Sequence, residues 1–154
     1  MPDLLTLTLR DEAATARLAQ ALAPRLRVGD VLLLQGPLGA GKTSFARALI
    51  RALCGAAIEV PSPSFNIVLT YDTPASPLWH VDLYRISHPR EADELGLEDI
   101  YAEGIAVIEW PERLEGAIPR GALTLSLALG QDTNRSLSFS GPPDWAPRLA
   151  GLEP

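Results

Sequence analysis

Val31-Leu32-Leu33-Leu34, followed by Gly36-Pro37-Leu38-Gly39-Ala40-Gly41-Lys42-Thr43-Ser44, decides how this chain is read. An unbroken apolar run of this length is the signature of a strand buried on both faces, the habit of a central parallel strand. Gly36 to Thr43 then satisfies the phosphate-loop spacing, a glycine, four residues, and glycine-lysine-hydroxyl. Beyond the loop, Phe45, Ala48, Leu49, Ala52 and Leu53 recur at i, i+3, i+4, i+7 and i+8, with Gly55 where such a helix would stop. Strand, glycine-rich turn and amphipathic helix together supply the context in which the motif has a mechanism. Glycines let the backbone curl so that successive N–H groups converge on phosphate oxygens, and the helix start adds its positive dipole end. Lys42 is expected to meet the β and γ phosphates of a nucleoside triphosphate. Thr43 is expected to offer its hydroxyl to a Mg2+ ion that keeps most of its water. The expected nucleotide-binding set is Gly36, Leu38, Gly39, Ala40, Gly41, Lys42, Thr43 and Ser44. Of the 13 basic residues only Lys42 is lysine, so the one position where arginine would not serve stands out.

Hydrolysis also needs carboxylates at the ends of neighbouring strands, to hold metal-bound water and to orient the attacking one. Two acids qualify. Glu109 closes the apolar run Ile105-Ala106-Val107-Ile108, the form of a metal-binding acid at a strand end, and Asp82 follows Leu78-Trp79-His80-Val81. Taken alone, either could be an ordinary loop acid; the phosphate loop in the same small chain favours Glu109 and leaves Asp82 open.

Working outward, Thr6 to Leu9 alternates like a short strand, and Asp11 to Leu26 carries Ala14, Leu18, Ala19 and Leu22 at helical spacing. Phe65 to Tyr71 and Leu78 to Tyr84 are strand candidates joined by a proline-containing turn. Ser87-His88-Pro89 looks like a helix start, after which Glu91, Asp93, Glu94, Glu98, Asp99 and Glu103 crowd one stretch. That stretch is either a solvated helix with acids near its positive end or a surface for a partner. Leu123 to Leu129 and Ser136 to Ser140 alternate as later, partly exposed strands, and residues 141–154, rich in proline, are expected to be irregular. His80 and His88 do not make a zinc site, His80 reading as a structural histidine, and Cys54 reads as a small core residue.

Several of these strings resemble one family. Gly36 to Thr43, Val60-Pro61-Ser62-Pro63-Ser64-Phe65, His80-Val81-Asp82-Leu83-Tyr84-Arg85, Glu94-Leu95-Gly96-Leu97-Glu98 and Ile108-Glu109-Trp110-Pro111-Glu112 follow the order and spacing of the bacterial TsaE family, ATPases of tRNA threonylcarbamoyladenosine biosynthesis. The phosphate loop alone would indicate only a superfamily, whereas H-x-D-L-Y-R followed by I-E-W-P-E is specific. The resemblance implies a small α/β ATPase with a mixed, largely parallel sheet flanked by helices. It implies ATP and Mg2+ as ligands, and as partners the proteins that transfer a threonylcarbamoyl group to tRNA, with tRNA met only through them. By position it makes Lys42 the phosphate lysine, Thr43 and Glu109 the metal site, and Asp82 a second acid needed for hydrolysis, so that Lys42, Asp82 and Glu109 form the expected catalytic set. Ser62 to Phe65 would be a switch-like loop, Trp110 an aromatic near the catalytic end, and Arg135 an arginine in the late strands with possible access to the nucleotide. Pro37 and Ser64 depart from the residues the family often carries there, Asp and Thr. Pro37 removes one N–H from the loop, and Ser64 keeps a hydroxyl.

Composition bounds the rest. The 154 residues, 47% of them hydrophobic, suit a single domain over 1–154. No apolar run nears the ~20 residues a bilayer requires, the first residues do not read as a signal peptide, and a single cysteine excludes an internal disulfide; a cytoplasmic protein is expected. A net charge of −6 argues against direct nucleic-acid binding. A small-molecule kinase is the alternative activity, but no insertion gathers the arginines into a lid. A GTP-reading switch fits worse. Asp93-Glu94-Leu95-Gly96 matches D-x-x-G but does not follow a buried strand, and the only lysine is already in the phosphate loop, leaving none for guanine recognition.

Overall fold

The apolar runs form the middle of one seven-stranded sheet in the computed structural model, which describes residues 3–55, 58–63 and 67–154. The strands are β1 (Asp3–Leu9), β2 (Val31–Gln35), β3 (Val68–Asp72), β4 (Pro77–Asp82), β5 (Ile105–Glu109), β6 (Leu123–Leu129) and β7 (Arg135–Ser140). Their order across the sheet is β1-β7-β6-β2-β5-β4-β3. β6, β2, β5 and β4 run parallel, while β7, β1 and β3 join antiparallel at the flanks. The two innermost strands are covered on both faces, which is why β2 and β5 are apolar up to their last residues, Gln35 and Glu109, whereas β6 and β7 nearer the edge alternate. The mixed, largely parallel α/β sheet expected from the sequence is therefore the architecture found.

On one face lie α1 (Glu12–Leu22) and α2 (Lys42–Cys54), burying Leu18, Leu22, Phe45 and Leu49 against Leu32, Leu34 and Val107. Asp11 starts α1 by accepting from the Ala14 N–H at 2.8 Å. Gly55, left-handed at φ +72°, ends α2 as expected. The other face is covered by α3 (Pro89–Asp93), α4 (Leu97–Glu103) and a 3₁₀ turn, Pro111–Leu114. There Val31, Leu33, Val81 and Ile108 pack against Ala92, Leu97, Ile100 and Leu114.

Three expectations are corrected. The acidic stretch is two short helices, because Gly96 at φ +67° breaks the helical path between them; its apolar positions Ala92, Leu97 and Ile100 are buried and its acids face outward. The second strand of the hairpin ends at Asp82, not Tyr84, since the chain turns as soon as it passes the sheet edge. The tail is not irregular throughout: α5 (Trp145–Leu149) buries Trp145 and Leu149, and Leu152 follows them into the α1 and α2 side of the core. Its proline content hid two apolar anchors spaced for one turn of helix. Cys54 is half-buried at the end of α2. No helix among the described residues is long and apolar enough to cross a membrane.

Candidate functional site

Parallel strands that end together leave a crevice beyond their carboxyl ends, and loops from β2, β4 and β5 fill it here. Gly36 leaves β2 at φ +145°, where a Cβ would be driven into the Leu127 carbonyl oxygen of β6. Gly39 and Gly41 take φ +80° and +104°, conformations in which a side chain would be strained although space is open. Gly41 immediately precedes α2, so the loop delivers its N–H groups at the start of a 13-residue helix. Pro37 offers no N–H, but its carbonyl accepts from the Ala40 N–H at 3.2 Å and from Lys42 at 3.1 Å.

Lys42 is 5% exposed. Its Nζ donates to the Gly36 and Pro37 carbonyls and lies 3.9 Å from the centre of the Trp110 ring. Burial lowers its pKa below the ordinary lysine value, opposed by the negative charges of Glu109, Glu112 and Asp82. The one lysine thus sits in a cage of acceptors and π density that suits a cation before any phosphate arrives. Trp110 holds its ring there through a left-handed backbone, φ +61°, immediately before Pro111.

The two acids of the sequence analysis come together. Asp82 on β4 and Glu109 on β5 are register partners in the parallel ladder, so both side chains leave the same face, the one that carries α2. Both are buried, 5% and 1% exposed. Thr43 Oγ1 donates to Glu109 Oε1 at 2.8 Å, and Asp82 Oδ1 accepts from the Tyr84 N–H at 2.9 Å. Lys42, Thr43, Ser44, Asp82, Glu109 and Trp110 all line one cleft of about 420 Å³, along with Leu38, Gly39 and Gly41 of the loop. A hollow of about 680 Å³ lies between α3, α4 and the turn after Leu114, yet it contains no phosphate-loop residue. Size alone does not choose the site; convergent charge and glycine geometry do.

A hydroxyl and a carboxylate oxygen side by side on the cleft floor are the hard donors that Mg2+ accepts, and the ion needs few of them because water and phosphate complete its shell. Among the described residues there is no group of three or more His, Cys, Asp or Glu side chains that could hold a metal ion.

Other expected residues fall in three ways. Arg135 lines a second hollow of about 370 Å³ on the other side of the loop, shared with Gly39, Gly41, Ser44, Asp11 and Thr133, so it stands near the phosphate loop and not out on a remote surface. Ala40 is buried beneath the loop. Of the switch-like segment, Ser64 and Phe65 lie outside the described residues. His80, read from the sequence as a structural histidine, is fully buried, and the contact the sequence did not announce is that of its Nε2, 2.6 Å from Glu109 Oε2. The available signal was its spacing: His80 and Asp82 are two apart on one strand and so share a face.

A family model described as threonylcarbamoyl adenosine biosynthesis protein TsaE matches residues 9–137. The chain is similar to the curated tRNA threonylcarbamoyladenosine biosynthesis protein TsaE of Rickettsia bellii, 39% identical over 127 residues, covering 82% of this chain and 88% of that protein. The protein of the same name from Bacillus subtilis is 34% identical over 136 residues, covering 88% and 82%. The crystal structure of Bacillus subtilis YdiB has the same fold, with a TM-score of 0.79, 29% identity, and coverage of 94% of this chain and 90% of that one.

Proposed function

This chain belongs to the TsaE family of threonylcarbamoyl adenosine biosynthesis proteins, and from that membership we propose that it binds ATP with Mg2+ and hydrolyses it as an accessory to the proteins that place threonylcarbamoyladenosine in tRNA. The family acts in tRNA threonylcarbamoyladenosine biosynthesis. The observation that carries the finer reading is the convergence of Lys42, Thr43, Asp82 and Glu109 on one cleft at the end of the parallel strands.

Each residue has a task its surroundings suit. The loop N–H groups from Leu38 to Ser44 and the α2 dipole hold the phosphates. Lys42 brings the positive charge that grows in value as the γ phosphoryl loosens from ADP. Thr43 and Glu109 are the residues that would hold Mg2+. Bound there, the ion would supply positive charge to offset that of the phosphates. Asp82, whose Oδ1 accepts from the Tyr84 N–H, lines the same cleft and is the acid assigned to orient an attacking water. Nothing in this set reads a nucleobase of tRNA, and the net charge of −6 opposes a direct grip on its backbone; tRNA is met through the partner proteins.

The test is ATP hydrolysis by the purified chain, alone and with the threonylcarbamoyl-transfer proteins and tRNA. Slow hydrolysis to ADP and inorganic phosphate that changes on adding those proteins, with no tRNA effect in their absence, supports the reading. Phosphate appearing on a metabolite hydroxyl instead of as inorganic phosphate would replace it with a kinase, and absence of nucleotide binding would end both.

A further inference from the structure

His80 is fully buried, and its two ring nitrogens have unequal company. Nε2 lies 2.6 Å from Glu109 Oε2, while Nδ1 has no hydrogen-bond partner among the described residues. A proton on Nδ1 would be a buried donor without an acceptor, and a bare Nε2 would turn its lone pair on a carboxylate oxygen. Both penalties disappear when the single ring proton sits on Nε2 and is donated to Oε2. The ladder makes the contact possible: His80 is paired with Val107 and Asp82 with Glu109, so His80 is the diagonal neighbour of Glu109 on the same face. Glu109 is therefore gripped on both oxygens, Oε2 by the His80 ring and Oε1 by the Thr43 hydroxyl.

Resting on the reading of Glu109 as the magnesium carboxylate, we propose that His80 is a positioning residue that clamps Glu109 Oε2 and leaves Oε1, beside Thr43, as the one oxygen offered to the metal. The clamp prevents the carboxylate from rotating to present both oxygens, and it keeps the side chain in place on the buried floor when Thr43 turns its lone pair to the ion. Partners of this kind are worth about 10- to 100-fold in metal affinity where they have been removed.

The test measures ADP affinity by calorimetry with and without Mg2+, beside the Mg2+ concentration giving half-maximal hydrolysis, in the wild type, His80→Leu and His80→Gln. Leucine fills much of the space but donates nothing; the glutamine amide can put an N–H where Nε2 was. His80→Leu should lose at least about tenfold of the Mg2+ enhancement of ADP binding while Mg2+-free affinity stays within about twofold, and His80→Gln should recover most of the loss. Equal losses in the two variants, or none in either, would overturn the clamp. Should His80→Leu fail to fold, His80→Asn, whose amide ends where Nδ1 was and cannot reach Glu109, takes its place and is also made in a Glu109→Gln background: a clamp acting only through Glu109 adds no further loss there, whereas additive losses reject it. A wild-type chain whose ADP binding ignores Mg2+ would overturn the magnesium site itself, a result separate from unchanged His80 variants in a wild type that responds.

Discussion

At the carboxyl end of β2, Glu109 of the neighbouring strand is held by Thr43 and His80; at the amino end, Asp30 is held by Arg148 of α5. Both are short contacts of a carboxylate with buried or half-buried partners. They differ in what remains to be satisfied. Arg148 donates to both oxygens of Asp30, at 3.1 and 2.5 Å, and to the Arg25 carbonyl at 2.7 Å, and stacks over Trp145 at 3.9 Å. Arg25 answers by donating to the carbonyls of Arg148 and Ala150 at 2.9 and 2.7 Å. Asp30 is thereby enclosed, although the buried Arg148 Nε–H finds no acceptor among the described residues, and the pair fastens the tail to the sheet. The Glu109 end opens on a cleft, beside the buried Lys42 and the positive-φ glycines of its loop. A carboxylate enclosed by its partners ties elements together, whereas one that also borders a cleft stays within reach of a ligand.

The comparison breaks most easily at Lys42. Lys42→Ala should lower hydrolysis at least ~100-fold and strongly weaken ATP binding, since no other cation of the loop meets the phosphates; a stopped assay with labelled ATP and a binding titration would show it. Near-normal turnover would remove the functional half of the contrast. Next come the acids. Asp82→Asn or Glu109→Gln should cut kcat by about 100-fold while leaving Mg2+-free nucleotide affinity nearly unchanged, a loss concentrated in the transition state. Parallel losses of binding and kcat would instead make them packing residues.

At the closed end the expected effect is on stability alone. Arg148→Ala leaves Asp30, whose side chain is only 11% exposed, without its cation, and should cost about 2–4 kcal/mol in urea unfolding with little change in turnover of the folded protein. Loss of kcat without loss of stability would show that the tail reaches the site. A smaller effect is expected on the outer face. Reversing Glu94 and Glu98 to lysine should weaken association with the threonylcarbamoyl-transfer proteins several-fold at low salt and leave ATP binding by the free chain intact. Unchanged association in a titration would assign these acids to a solvated face.

The smallest expected change sharpens the closed end through pH. The Tyr101 hydroxyl of α4 is buried without a partner among the described residues, and burial, with Glu98 adding to it, pushes its pKa from 10.0 up to about 12. The unfolded chain then ionises this group first, so native stability is full below pH 10 and declines as pH rises towards 12. Tyr101→Phe should flatten that decline in urea midpoints and cost little near neutrality, because it removes a donor that had no acceptor. An equally steep decline in the variant would place the titrating group elsewhere.

Local pattern was enough for much of this protein. The apolar runs Val31–Leu34 and Ile105–Ile108, the glycine spacing of 36–41 and the helical period of Phe45 to Leu53 each state their conformation within a few residues, because backbone sterics and burial on two faces act locally. Glu109 and Asp82 were legible as acids at strand ends for the same reason. What required the tertiary structure was whatever depends on which strands lie side by side. Only the β2-β5-β4 order sets Asp82 beside Glu109 and brings His80 diagonal to it. No spacing between residues 80 and 109 encodes a 2.6 Å contact. The tail was misjudged likewise: Trp145 and Arg148 look like residues of a proline-rich end until Gly121, Arg25 and Asp30 are seen to receive them. A side chain's partners across a parallel sheet come from crossover connections, and those are long-range choices that the free energy of the whole core makes.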